Sequence, residues 1–176
     1  KPFVGATMAI SSHLTLLTGI AGINVYIVRI LKLPFDISLH FYFFFFVGVI
    51  ITGILKMFFY SSVGAGFLGT LGSSALLYVS IHWIILGNTI NIPLLYIQGL
   101  LLGFGASMTL VSGSMATLLD GDLKEAAQRS QTMHTIRNFS AAMLIPIIAY
   151  TIKNHIQKGT QSIYAENITD KMIYLK

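Results

Sequence analysis

The sequence predicts an all-α, polytopic transmembrane bundle of about five helices, and three observations carry that expectation. Of 176 residues, 55% are hydrophobic and only 10% charged, with a mean hydropathy of +0.77. Soluble domains carry roughly 25% charged residues, so this chain lacks the charge to coat a water-facing surface. The charges it has stand far apart. No Asp, Glu, Lys or Arg falls between Lys1 and Arg29, between Asp36 and Lys56, or between Lys56 and Asp120, and a last gap runs from Arg137 to Lys153. Finally, the apolar runs are continuous rather than alternating and too long for barrel strands.

The same numbers exclude other classes. An ordinary soluble enzyme, a disordered segment and a collagen-like fibre are all ruled out by composition. With zero cysteines there is no disulfide framework, CxxC redox site or thiolate metal site. The net charge of +5, from 11 Lys+Arg against 6 Asp+Glu, suits anionic lipid headgroups before nucleic acid.

About 20 apolar residues cross a hydrocarbon core of about 30 Å, and the gaps divide accordingly. The first predicts a helix over Phe3–Leu31, followed by Pro34. It is far longer than a signal-peptide core, and no small-residue cleavage site ends it. The second predicts Ile37–Tyr60, with Lys56 near its end. The third holds two crossings, Ser62–Leu86 and Pro93–Leu119, separated by Gly87-Asn88-Thr89, with Pro93 in a first helical turn. The fourth gap is short. It predicts a crossing over Thr132–Lys153 if the stretch from Thr132 to Arg137 is helical and interfacial.

Residues 1–153 thus form the predicted membrane bundle, and 154–176 a polar tail outside the bilayer. The segment Asp120–Gln131 is the long polar connection, mixed in sign, with Ala126 and Ala127 favouring helix. The chain opens on Lys rather than Met, which predicts a cut or processed start. With the first residue inside, the inner cations are Lys1, Lys56, Lys124, Arg129 and Arg137. The outer ones are Arg29, Lys32, Lys153, Lys158, Lys171 and Lys176. That distribution sets no orientation by the positive-inside rule, as expected if flanking spans have been lost.

Small residues recur every four positions on two helices: Ala65, Gly69 and Ser73, then Gly99, Gly103 and Ser107. Such stripes let backbones approach closely, either as plain packing or as a rocking seam in a transporter. The run Phe41 to Phe46, interrupted by Tyr42, covers every face of its helix. Lipid contact and packing are the simplest use for it.

Polar groups within apolar helices mark the candidate sites. The first helix carries Ser11, Thr15, Thr18 and Gly22 on one face, with His13 and Asn24 nearby. That face serves either helix–helix hydrogen bonding or the wall of a water-filled cavity, where His13 is protonatable near neutral pH. Gln98 lies one turn into the fourth helix, suited to binding a substrate or tying two helices together. His82, beside Trp83, and His40 read as interfacial. Arg137 stands at the mouth of the last helix, able to snorkel to headgroups or meet the acids of 120–125. No metal-spaced cluster, Walker loop, GxSxG elbow or intramembrane carboxylate pair occurs. The sequence predicts no enzyme, catalytic residue, metal or cofactor.

The segment LLLGFGASMTLVSGSMATLLDGDLKEAAQRSQTMHTIRNFSAAM (Leu100–Met143) resembles the late helices of major facilitator superfamily transporters, nearest to the fourteen-span drug:proton antiporter branch. There a glycine-bearing helix leads through a polar cytoplasmic loop to a helix entered by an NT-x-R-Q-x-G pattern. Thr135 and Arg137 match it, Asn138 stands for the Gln, and Ser140, Ala141 and Ala142 stand for the following glycines. Upstream, Ile23–Leu55 resembles an outer loop between two of the family's helices.

The resemblance implies a secondary transporter in the bacterial inner (plasma) membrane, with Lys56 and Asp120–Gln131 cytoplasmic. It also implies small-molecule or drug efflux by proton antiport and alternating access. The chain would be a C-terminal portion, its partner the missing N-terminal transporter half. His13, Asn24 and Gln98 would contact substrate or water, Arg137 would gate or pack, and Gly69, Gly99 and Gly103 would form seams. The alternative is a non-transporting anchor or assembly subunit of a membrane complex, with or without a haem ligated by two of the histidines.

Overall fold

The computed structural model describes residues 2–30, 32–86, 91–119 and 121–173, and among them there are helices and no strands. Helix α1 spans Pro2–Val25 and widens into a π-helical turn over Tyr26–Ile30. Helix α2 spans Phe35–Leu86, α3 Ile92–Leu119 and α4 Ala126–Ile173. Two compact units result, Lys1–Ala141 and Ala142–Lys176.

Local chemistry sets the boundaries. Lys32 adopts a left-handed conformation (φ 53°), and the Leu33 N–H reaches back to the Ile27 carbonyl at 3.1 Å, closing the end of the first helix. Pro34 then opens α2, its carbonyl accepting from the Ile37 N–H at 3.1 Å. Pro93 sits in the first turn of α3, where its missing N–H costs nothing, and the Asn91 carbonyl accepts the first helical bond from Leu95. Gly87-Asn88-Thr89, expected as the preceding break, lies outside the described residues.

One boundary is internal. Gly64 has φ 77° and ψ 164° inside α2, a combination open essentially to glycine alone. It divides α2 into an arm over 35–63 (α2a) and an arm over 65–86 (α2b). The expected break at residue 61 thus falls three residues further on.

Contacts along α3 show how the arms run. Phe41 meets Gly99, Phe45 meets Gly103 and Lys56 meets Ser107, so α2a and α3 ascend together. Gly69 meets Ser112, Leu76 meets Gly105 and Trp83 meets Gln98, so α2b returns antiparallel. Helix α1 is antiparallel too: Gly5 lies on Gly113, the Ser12 hydroxyl donates to the Ala106 carbonyl at 3.0 Å, and Gly19 meets Leu102. Helix α3 is therefore the central helix of this unit, with α1, α2a and α2b packed around it.

Glycine makes these approaches possible, most clearly at Gly103. A Cβ there would overlap the Phe45 carbonyl, and one on Gly99 would stand 2.9 Å from the Phe41 carbonyl oxygen. The four-residue stripe on α3 is thus a backbone-to-backbone seam. Ile23, Ile27, Phe41, Phe45, Leu76, Val79, Leu95, Leu102 and Ala106 fill the core around it. The phenylalanine run splits by face. Phe41 and Phe45 are buried, Phe44 stacks on Tyr96 at 5.4 Å, and Phe43 and Phe46 point outward.

The outer surface is apolar. Met57 is 84% exposed, Ile84 81% and Phe58 70%, the inverse of a water-soluble surface. Three helical stretches, Phe3–Val28, Phe35–Ile85 and Ile92–Leu119, are long and apolar enough to cross a membrane. Each arm of α2 exceeds the roughly 20 residues one crossing needs. This is a membrane protein. The helix expected over Thr132–Lys153 exists within α4, but α4 is not among the stretches that meet this criterion over the described residues.

Within Lys1–Ala141, α3 leads through a 3₁₀ turn at Leu123–Glu125, capped by the Asp122 side chain accepting from the Lys124 N–H, into the start of α4. The unit Ala142–Lys176 is helical through Ile173, so 154–176, expected as a polar tail, is helical for most of its length. Pro146 lies inside that helix, and Ile145, Ile147 and Tyr150 are exposed.

Candidate functional site

A cavity of about 630 Å³ opens between α1, α2b and α3. Its wall on α1 includes Thr15, Thr18 and Gly22, from the face read either as a helix–helix contact or as a cavity wall. Apolar side chains such as Ile23, Leu94, Leu95 and Leu102 make most of the rest. Thr15 and Thr18 donate to the Ser11 and Leu14 carbonyls of their own helix, at 2.9 and 2.8 Å. Their hydroxyl protons are thus satisfied within α1 itself. Gly22 supplies room, since a Cβ there would meet nothing within 4 Å.

Besides the threonines, Tyr26, Ser80, Trp83, Asn91 and Gln98 bring polar groups to the lining. Gln98 is buried, 3% exposed, and lies between two residues of α2b. The Trp83 Nε1–H donates to Gln98 Oε1 at 2.7 Å, and Gln98 Nε2 donates to His82 Nδ1 at 2.7 Å. An indole N–H only donates, so it fixes the amide orientation, and the amide in turn requires an unprotonated Nδ1 on His82. Gln98 thus ties α2b to α3, one of its two expected uses, and it also lines the cavity. Sequence reasoning treated His82 and Trp83 as an interfacial pair. Their shared partner, fifteen residues or more away in sequence, is what it lacked.

The other expected site residues do not gather here. His13 is half-buried on α1, outside the cavity lining and within electrostatic range of Arg137. Asn24 is exposed and accepts from the buried Ser38 hydroxyl at 3.1 Å, joining the end of α1 to the start of α2a. Gly69 packs on Met8, while Gly99 and Gly103 pack on α2a. Arg137 is half-buried, and its Nε is buried with no hydrogen-bond partner among the described residues. It makes no ion pair with the acids at 122–125; that role falls to Arg129.

Two cations bond backbone carbonyls of α3. Lys56, expected near the end of a helix and cytoplasmic, lies more than a turn before the Gly64 break. Its Nζ donates to the Ser107 and Met108 carbonyls at 2.9 and 3.2 Å, in the middle third of α3. Its isolation between two long apolar gaps was the available signal, but a lone charge reads equally as a helix end. Arg129 donates to the Thr117 and Leu118 carbonyls, both at 3.1 Å. It caps the C-terminus of α3 with positive charge, where the helix dipole favours it.

His40 faces Tyr96 at 5.8 Å between ring centroids, and His82 faces Tyr78 at 5.7 Å. Among the described residues no group of three or more His, Cys, Asp or Glu gathers to hold a metal. No family model, curated protein or solved structure gives a significant match to the chain.

Proposed function

We propose that this chain forms the ligand-binding part of a secondary membrane transporter of the major facilitator type, one that exports small, largely apolar molecules in exchange for protons. The observation that carries the reading is the cavity between α1, α2b and α3, lined mostly by apolar side chains, with Gln98, Trp83, Asn91 and Ser80 among its polar groups and His82 bonded to Gln98 behind it. Apolar pockets with a few convergent polar groups are what small-molecule sites look like. The glycine seams of α3 also suit alternating access. Helices that touch through backbone slide with less obstruction than helices interlocked by large side chains. In this reading a second half-bundle faces the cavity, and the protein resides in a bacterial inner membrane.

The test uses proteoliposomes of the full-length protein that carries this bundle together with the half-bundle facing it, with ethidium as probe and an acidic interior. Ethidium uptake above the protein-free level, abolished by Gly22→Leu, is the expected result. The leucine enters open space, so it fills the cavity without displacing a helix. Equal uptake by liposomes with and without protein would refute the proposal.

A further inference from the structure

We infer that His82 is the proton site coupled to this cavity, acting through Gln98 on Trp83, so that a proton and an apolar ligand exclude each other. The inference deepens the transport proposal and rests on it for the identity of the ligand; the relay itself does not.

The chemistry follows from donor and acceptor inventory. Trp83 Nε1–H can only donate, so Gln98 must present Oε1 to it. That leaves Nε2–H for His82, whose Nδ1 must accept. A proton arriving from solution on Nδ1 turns the acceptor into a donor. Two N–H groups then face each other across 2.7 Å. If the amide rotates to offer Oε1 to the imidazolium, its NH₂ turns toward the indole N–H, and the same conflict moves to Trp83. One of the two bonds is lost in either case, and nothing but the proton is transferred.

The consequence falls on the cavity, because Trp83 and Gln98 both line it. An indole N–H deprived of its acceptor draws water into a space whose other walls are mostly apolar, and a positive charge now stands beside that space. Both effects disfavour an apolar or cationic guest.

Surrounding groups leave the switch to His82. The Gln98 amide faces it from α3, and the Tyr78 ring lies one turn back on its own helix. Helix α1 contributes Tyr26 to the cavity wall, and among the described residues that line it there is no carboxylate, lysine or arginine. His82 also lies about one turn from the end of α2b, where protons reach it from water.

Trp83 is the only tryptophan of the chain, so its emission reports the relay without any ligand. In nanodiscs of phosphatidylcholine, acidification from pH 8 to 5.5 should shift that emission to longer wavelength. Over the same range, ethidium affinity should fall about three- to tenfold, the worth of one hydrogen bond. His82→Asn keeps an acceptor oxygen where Nδ1 stands but takes no proton, so both readouts should hold their pH 8 values throughout. His13→Asn and His40→Asn should titrate as the wild type does. Should His82→Asn fail to fold, Gln98→Leu serves instead, with a long-wavelength emission that no longer responds to pH.

A wild-type emission that does not move, or a shift that persists in His82→Asn, would overturn the relay. If the shift is confined to chains bearing His82 while ethidium binds at no pH, the relay stands and the transport proposal falls. If ethidium binds with one affinity at every pH and the emission is static, the transport proposal survives and the relay does not.

Discussion

The Lys56 ammonium donates to the Ser107 carbonyl across 2.9 Å, fastening α2a to the middle of α3. A second bond reaches the Met108 carbonyl, and among the described residues no carboxylate pairs with Lys56. A cation held only by carbonyls among apolar helices stabilises weakly, because desolvation offsets the attraction. Lys56→Met should therefore keep the thermal stability of the detergent-solubilised protein within about 1 kcal/mol, or raise it. Lys56→Glu, which sets a carboxylate against two carbonyl oxygens, should lower it by about 2–4 kcal/mol. Equal behaviour of the two variants would show that the contact does not form.

Glycine positions differ sharply in what they tolerate. At Gly103 an added methyl overlaps the Phe45 carbonyl, whereas at Gly53 it meets nothing within 4 Å. Gly103→Ala should cost about 1–3 kcal/mol in unfolding, as overpacking does. Gly53→Ala should be neutral or add up to about 1 kcal/mol through helix propensity. The order of the two midpoints is the readout.

The turn between the arms of α2 depends on a single backbone conformation. Gly64→Ala forces a side chain into a region open essentially to glycine and should cost about 1–3 kcal/mol. Gly66→Ala, two residues on and in open space, should not destabilise. Comparing their unfolding curves separates strain at the turn from a general effect of adding a methyl.

Arg129 does two things of unequal weight. Its bonds to the Thr117 and Leu118 carbonyls cap α3, and its ion pair with Glu125 spans 3.7 Å to a largely exposed carboxylate. Arg129→Gln should lower stability by about 1–2 kcal/mol. Glu125→Gln should change it by less than about 0.5 kcal/mol, as exposed ion pairs contribute little.

Much of the helical layout was legible because missing charge is a long-range, one-dimensional signal. The gap after Asp36 and the proline at 93 marked helices that the structure contains, and the stripe of Gly99 and Gly103 marked a real seam. What escaped was pairing across helices. Nothing in the order of residues says that Gln98 reaches back to both His82 and Trp83, or that Lys56 finds carbonyls on α3. Gly64 escaped for a related reason. It is one of several glycines in the stretch, and only its dihedral angles distinguish it from Gly66. The sequence lets Arg137 either snorkel to headgroups or meet the acids of 120–125. One of those acids, Glu125, pairs instead with Arg129, one helical turn away.

Cysteine labelling tests most directly whether α2 crosses the bilayer twice, turning at Gly64. The chain has no cysteine of its own, so Asp36→Cys, Ser61→Cys, Asn91→Cys and Asp122→Cys each give one thiol at an exposed position. With a membrane-impermeant maleimide on sealed, uniformly oriented vesicles, Ser61→Cys and Asp122→Cys should label from one side and Asp36→Cys and Asn91→Cys from the other. Labelling of Asp36→Cys and Ser61→Cys from the same side would contradict the double crossing, and with it the membrane cavity between α1, α2b and α3.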